Sequence, residues 1–286
     1  MTFAQLKKIV AFYQRFLPSF SAIGYRWRSL FWKRLKPDFT GQVWLVTGAS
    51  GGIGGAIVAG ALKGGATVFA VARSADKLAA LAAASPGRVI PIPADVSLVA
   101  EARRVAREVI ASGRKLDVLM NNVGVLLDDL SVTSEGFETS YATNILNHFV
   151  LTEALLAARA FKSGAAIVNM SSGGMYNAPL TLDYMGMKKP GKYSGVYAYA
   201  VHKRGQAELT KFWQEKHGAE GLHFYVMHPG WADTQGVKTA MPRFRKILRL
   251  VLRNDAQGAD TAIWLATLPA DGPTNGLFRD RQPIEW

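Results

Sequence analysis

Tyr199 and Lys203 stand four positions apart, a spacing suited to proton chemistry. On a helix, residues i and i+4 share one face. A free phenol has a pKa of about 10, too high for exchange at neutral pH. An ammonium about 5 Å away, at an effective dielectric of about 20, favours the phenolate by roughly 3 kcal/mol. Ser171 and Ser172 follow the apolar run 165–170, which reads as a strand, and put a hydroxyl at its end. Phenol, amine and hydroxyl together can trade a proton with an alcohol or carbonyl oxygen.

A second Tyr-x-x-x-Lys, Tyr184 to Lys188, lies nearer to the two serines. Gly186 sits inside it and Pro190-Gly191 follow at once, a neighbourhood that helices avoid. Tyr199 instead opens a run through Lys216 with one glycine and no proline. The helical spacing therefore belongs to Tyr199 and Lys203.

The elements that must position this set alternate in type. Strands are expected at 42–47, 66–72, 88–94, 116–121, 165–170 and 222–227, with a short one near Leu277. Helices are expected at 52–63, from after strand two through 84, from an N-cap at Ser97 to 111, and at 134–160, 196–217, 241–253 and 256–268. This order predicts an α/β fold: a single doubly wound parallel sheet with helices on both faces, over residues 41–286. Residues 1–40 form a separate N-terminal helical extension.

In such a sheet, ligands bind beyond the carboxyl ends of the strands. The first strand runs into Gly48-Ala-Ser50-Gly51-Gly52-Ile53-Gly54 and restarts as a helix. That turn aims backbone N–H groups and a positive dipole end at one point, which suits a phosphate. Gly48 permits the tight turn, Gly52 lets a pyrophosphate approach, and Gly54 lets helix and strand pack closely. Strand two ends in Ala72-Arg73, with no acid to accept from an unphosphorylated ribose. Arg73 either matches a 2′-phosphate, which favours NADP(H) over NAD(H), or is a solvated arginine at a helix start. Strand three ends at Asp95-Val96, where the carboxylate either accepts from an adenine amine or caps a turn. Strand four ends in Asn121-Asn122-Val123-Gly124, which either approaches the cofactor or ties neighbouring strands together.

These motifs, in this order, resemble the short-chain dehydrogenase/reductases from about Gln42 to Thr267. The matching residues are Thr47 to Gly54, Asp95, Asn121 to Gly124, Asn144, Ser172, Tyr199 with Lys203, and Pro229-Gly230 with Thr234. The resemblance implies a Rossmann fold, a nicotinamide dinucleotide and reversible alcohol–carbonyl chemistry. It casts Tyr199 as general acid/base and Ser172 as the hydroxyl on the substrate oxygen, with Ser171 as the alternative if the loop shifts register. It gives Lys203 the nicotinamide ribose, Asn144 a water in a proton relay, Ile53 a backbone contact to the cofactor and Thr234 the carboxamide. The 27 positions from Ser172 to Tyr199 are about twice the usual gap. An insertion with Tyr184, Lys188, Lys189 and Lys192 fills it, as in the retinol-dehydrogenase-like branch. The long helices around Asn144 and Tyr199 would, by the same resemblance, join copies into a homo-oligomer.

The flanks suggest where the substrate comes from. The chain has 34 basic and 21 acidic residues, a net charge of +13, and eight of the basic residues precede Asp38, the first acid. Phe3, Leu6, Ile9, Val10, Tyr13, Phe16 and Leu17 recur at helical spacing until Pro18, expected to end that helix; Ile23, Trp27, Leu30, Phe31 and Leu35 begin a second stripe. One reading is an in-plane anchor on an anionic membrane; the other is helices packed on the domain or on another subunit. Nucleic acid is a third possible partner and is not the expected one. Residues 241–253 pair an apolar face (Phe244, Ile247, Leu248, Val251) with Arg243, Arg245, Lys246, Arg249 and Arg253, either as a lid dipping into lipid or as a helix packed on the domain. No uncharged run approaches the roughly 20 residues of a membrane span, and no secretory cleavage pattern is evident. The expected location is intracellular, peripheral to a membrane or else cytoplasmic.

Cysteine is absent, which excludes disulfides, thiolate metal sites and a cysteine nucleophile. The five histidines show no metal-ligand spacing, so no metal is expected. The combined expectation is an NADP(H)-dependent oxidoreductase acting on a lipophilic alcohol, aldehyde or ketone. The alternative is a dinucleotide-binding regulatory or scaffold protein with little turnover.

Overall fold

A computed structural model describes residues 16–182, 184–186, 193–268, 272–273 and 275–285. After helical residues 16–20 come α1 (Ala22–Ser29), β1 (Val43–Thr47), α2 (Gly52–Lys63), β2 (Thr67–Ala72), α3 (Ala75–Ala84), β3 (Val89–Pro93), α4 (Val99–Ala111) and β4 (Leu116–Asn121). Then follow α5 (Thr139–Tyr141), a π-helical turn (Ala142–Leu146), α6 (Asn147–Ala157), β5 (Phe161–Met170), a 3-10 turn (Gly173–Asn177), α7 (Gly195–His217) and β6 (His223–Met227). The chain closes with α8 (Gln235–Ala240), α9 (Pro242–Leu248), α10 (Asp255–Leu265), β7 (Asn275–Arg279) and β8 (Gln282–Ile284).

The eight strands lie in the order β3-β2-β1-β4-β5-β6-β7-β8, all parallel except the β7–β8 hairpin. The order reverses between β1 and β4, so their carboxyl ends flank the crevice where doubly wound sheets bind ligands. All five β1 residues are buried, as a central parallel strand covered on both faces requires. Its side chains alternate between two cores. Trp44 and Val46 join Ile57, Ala61 and Ala262, while Val43 and Leu45 join Val109, Leu155 and Trp213.

Several boundaries differ from expectation. The helix expected from 134 starts at Thr139, because Val132 and Glu138 form a β-bridge and the Glu138 carboxylate caps the Ser140 and Tyr141 amides. Ser97 does not cap α4; the Glu135 carboxylate takes that role by accepting from Val99 and Ala100 N–H. Residues 241–253 are not one helix: α9 ends at Leu248, and Arg253, expected on a solvated edge, is buried. Strand β8 has no counterpart in the expected element order.

The N-terminal stretch packs on the domain through buried Phe20, Ala22 and Phe39. Its helix breaks at Ser21, not Pro18, and the Ser21 hydroxyl accepts from Gly24 N–H at the start of α1. Phe3 to Tyr13 lie outside the described residues. Among those described, no helix is long and apolar enough to cross a membrane.

Candidate active site

Strand β5 ends at Met170, and the two serines after it diverge in use. Ser171 is buried and donates to the Lys203 carbonyl at 2.7 Å. Ser172 caps the 3-10 turn by accepting from Gly174 N–H at 3.2 Å and is hydrogen-bonded to the Tyr199 side chain. A Cβ placed on Gly174 would stand 3.6 Å from Ser172 Oγ and 3.7 Å from Tyr199 Cε1, so both groups converge beside that glycine. Tyr199 and Lys203 lie one turn apart on α7, whose start is capped by the Ser194 hydroxyl.

Lys203 is buried, with Nζ 5.5 Å from the Tyr199 ring centroid and donating to the Met170 carbonyl at 2.7 Å. Burial pushes the ammonium down to about 7. Burial also pushes the Tyr199 phenol up, against the smaller opposing effect of the Ser172 hydrogen bond. Lys203 is not among the groups that lower the phenol here. Desolvation disfavours charge on both groups, and the ammonium is directed at a carbonyl instead of the phenol.

Asn144 sits in the π-helical turn, fully buried. Its Oδ1 accepts from Val125 N–H, and its Nδ2 donates to the Val125 carbonyl and Ser140 Oγ. Gly124 is wedged between it and the lysine: a Cβ there would meet Asn144 Oδ1 and Lys203 Nζ, each at 3.1 Å. Asn144 thus reaches the site through the backbone of 124–125.

The glycine turn forms the opposite wall. Gly48 (φ +69) and Gly52 (φ +58) need the left-handed region, and a Cβ on Gly54 would lie 2.2 Å from the Gly48 carbonyl oxygen. At Gly51 and Gly52 a Cβ would meet nothing within 4 Å, and no side chain caps α2. This is an open cradle at a helix N-terminus, where free N–H groups fit a phosphate. Asn122 borders it and donates to the Thr47 carbonyl, while Asn121 ties β4 to Asn169 and Thr152.

One cavity of about 640 Å³ joins these walls. Gly48, Gly51, Gly52, Ile53, Gly54, Asn122 and Gly124 line it on the sheet side; Ser172, Tyr199 and Lys203 line it from α7 and β5; Pro229, Gly230 and Thr234 line it beyond β6. Ser50, Arg73, Asp95 and Val96 are not among its lining residues. Arg73 is exposed just past β2, and the Asp95 carboxylate accepts from Ser97 N–H as a turn cap. Tyr184 is held elsewhere: its carbonyl accepts from His202 Nε2, and its ring packs on Tyr197. Lys188, Lys189 and Lys192 lie outside the described residues. No cluster of three His, Asp or Glu able to hold a metal occurs among the described residues.

Of the other lining residues, Phe244 was expected on the apolar face of a lid and Phe16 on the N-terminal stripe, while Phe20, Leu126, Val196 and Trp231 had no expected role. Phe16, Phe20, Leu126, Val196, Trp231 and Phe244 give the cavity an apolar end. Trp231 follows Pro229-Gly230 directly, a signal that was readable. Phe16 and Phe20 belong to the extension, where no local pattern points inward.

The short chain dehydrogenase family model matches residues 42–243. Human dehydrogenase/reductase SDR family member 12 is 35% identical over 261 residues, 87% of this chain and 80% of that protein. Mouse retinol dehydrogenase 12 is 28% identical over 248 residues, 83% of this chain and 77% of that protein. A blue fluorescent protein from a metagenomic library, solved in complex with NADPH, superposes with a TM-score of 0.67 at 25% identity, covering 84% of this chain and 96% of that one. With the doubly wound sheet, the glycine turn and the strand-end serine facing a helical Tyr-x-x-x-Lys, these matches place the chain in the short-chain dehydrogenase/reductase family, as an NAD(P)-dependent oxidoreductase.

Proposed function

We propose that this protein interconverts a lipophilic alcohol and its aldehyde or ketone, with NADP(H) as hydride carrier. The observation that carries this reading is the convergence of Ser172, Tyr199 and Lys203 on a cavity whose far end is apolar.

The dinucleotide, when bound, supplies or accepts the hydride. Gly48 to Gly54 would hold its pyrophosphate, Lys203 its nicotinamide ribose, Asn122, Gly124, Pro229 and Gly230 its flanks, and Thr234 its carboxamide. In reduction, the neutral Tyr199 hydroxyl donates its proton to the carbonyl oxygen while the Ser172 hydroxyl donates a hydrogen bond to the same atom. Burial favours the neutral phenol, the form reduction needs. Asn144 fixes the 124–125 backbone against Lys203, and a water held there would complete the proton path.

Arg73 supports NADP(H): it is exposed where β2 ends, and no acid stands beside it. The exposed apolar residues of α1 and the turn after it support substrate entry from a membrane surface. Ile23 and Trp27 lie on one face of α1, and Leu30 and Phe31 follow in the turn after it, each more than half exposed, beside exposed Arg26, Lys33 and Arg34. Exposed Phe149 and Phe212 on α6 and α7 support a homo-oligomeric contact through those helices.

Purified protein with NADPH and a panel of apolar aldehydes and ketones tests the reading. Turnover should fall at least about 100-fold in Tyr199→Phe. Activity unchanged in that variant overturns it. Arg73→Ala should cut the NADPH-over-NADH preference about tenfold.

A further inference from the structure

The N-terminal extension does more than cover the domain. We propose that residues 16–21, through Phe20, form a wall of the substrate pocket and set its preference for long apolar chains. This deepens the reading of the cavity as the site of alcohol–carbonyl chemistry and rests on it.

Phe20 is 3% exposed, yet its ring lines the same cavity as Ser172 and Tyr199. It packs against Phe16 at 4.9 Å, His228 at 4.7 Å and Trp231 at 5.7 Å between centroids. Its carbonyl accepts from Trp231 N–H at 2.8 Å, and Ala22 N–H donates to the Val251 carbonyl at 2.8 Å. The segment is thereby stitched to the loop after β6, which itself lines the pocket.

Two glycines are the seats for this wall. A Cβ on Gly173, the residue after Ser172, would lie 2.6 Å from the Phe20 ring. A Cβ on Gly230 would lie 2.6 Å from the Phe20 carbonyl oxygen and 2.5 Å from the Arg253 guanidinium. The ring therefore rests on the backbone that follows the catalytic-site serine, with no room for a side chain between them. Arg253, buried, donates to the carbonyls of Ser19, Ser21 and Pro229 and pairs with Asp280, so the segment is held by a group that also holds the pocket loop. A wall fixed this firmly, and built of Phe16, Phe20 and Trp231 rings, offers apolar surface to the part of a substrate that does not react. Its contribution to binding grows with the length of that part.

The experiment uses the full chain with NADPH and straight-chain aldehydes from butanal to dodecanal. Wild type should show kcat/KM rising with chain length. Phe20→Ala should raise KM for dodecanal at least tenfold, leave butanal within twofold, and leave NADPH affinity unchanged. Phe20→Leu should recover most of the loss, and Phe20→Trp should shift the optimum to shorter chains. Equal losses for butanal and dodecanal, or no loss, overturn the proposal. Calorimetric binding of dodecan-1-ol to NADP+-saturated protein separates it from the activity reading. Binding that weakens tenfold in Phe20→Ala without any wild-type turnover keeps the wall and sinks the reaction. Binding unaffected by Phe20→Ala sinks the wall alone, and no binding to wild type sinks both.

Discussion

Ser171 donates its hydroxyl hydrogen to the carbonyl oxygen of Lys203 at 2.7 Å, so the serine nearer the strand supports the helix that carries the lysine. Ser172 is left to face Tyr199. The two alanine variants should therefore fail differently. Ser171→Ala should lose about 1 kcal/mol of unfolding free energy with kcat within twofold of wild type. Ser172→Ala should lose about 1 kcal/mol through its cap to Gly174 N–H and at least tenfold in kcat/KM. Denaturant titration beside steady-state kinetics checks both, and the reverse pattern would reassign the hydroxyl.

The raised Tyr199 pKa gives the two reaction directions different pH profiles. Reduction uses the protonated phenol, which dominates below its pKa, so the phenol itself should impose no change in rate between about pH 6 and 9. Oxidation uses the phenolate, whose share grows about tenfold per pH unit below the pKa. Oxidation should accordingly climb with pH over that range, and a plateau near pH 7 would show the phenol depressed instead.

Gly51 and Gly54 separate ligand room from packing room. Gly51→Ala places a methyl in open space on extended backbone, so thermal stability should hold while NADPH affinity falls. Gly54→Ala drives a methyl into the Gly48 carbonyl oxygen, 2.2 Å away. That variant should lose about 3 kcal/mol or fail to fold. Paired melting curves and NADPH titrations distinguish the two.

Acid should destabilise the fold through His148 and His202, which burial pushes down to about 3 and about 4. Gln206 donates to His148 Nδ1 and His148 Nε2 donates to the Val123 carbonyl, a pattern that fits the neutral ring. A histidine whose folded pKa is depressed contributes stability above its unfolded value, near 6.5, and loses it as pH falls toward the folded value. Each should give a slope of about 1 kcal/mol per pH unit between about pH 6 and 5. Urea unfolding at stepped pH measures it, and His148→Asn should remove its share.

The exposed apolar residues of α1 and the turn after it predict lipid binding. Sedimentation with anionic vesicles of phosphatidylserine and phosphatidylcholine should retain the full chain, and Trp27→Ser with Phe31→Ser should reduce retention at least tenfold. Binding that ignores the double substitution would assign the contact to another surface.

The sheet and the shared helix face of Tyr199 and Lys203 were legible because parallel strands buried on both faces read as apolar runs, and because the pair needs only a helix between its members. Gly48 and Gly54 were legible for a similar reason, since a backbone constraint leaves one residue type. What stayed hidden depends on long-range contact. Phe20 looks like any residue on an amphipathic stripe until Gly173 and Gly230 are placed beneath it. Arg253 read as a solvated charge because its partner, Asp280, is 27 positions away. Glu135 read as part of a helix, although its carboxylate caps another one. Spacing gave the distance from the phenol to an ammonium and said nothing of the desolvation that pushes the Tyr199 phenol up.

The β7–β8 turn bears on how the protein tolerates change. Asp280 (φ 53) and Arg281 (φ 58) make a two-residue hairpin in a conformation that usually selects asparagine and glycine. Asp280 instead pairs with Arg253 and Arg28, and Arg281 with Asp260, the Trp32 ring and the Lys33 carbonyl. Hairpin tips are ordinarily where inserted epitopes and circular permutations are accepted without harm. Here even a short insert between these two residues should unlatch the amino-terminal segment and widen the mouth of the enzyme, so the most peripheral strand pair is among the least permissive places to edit the chain.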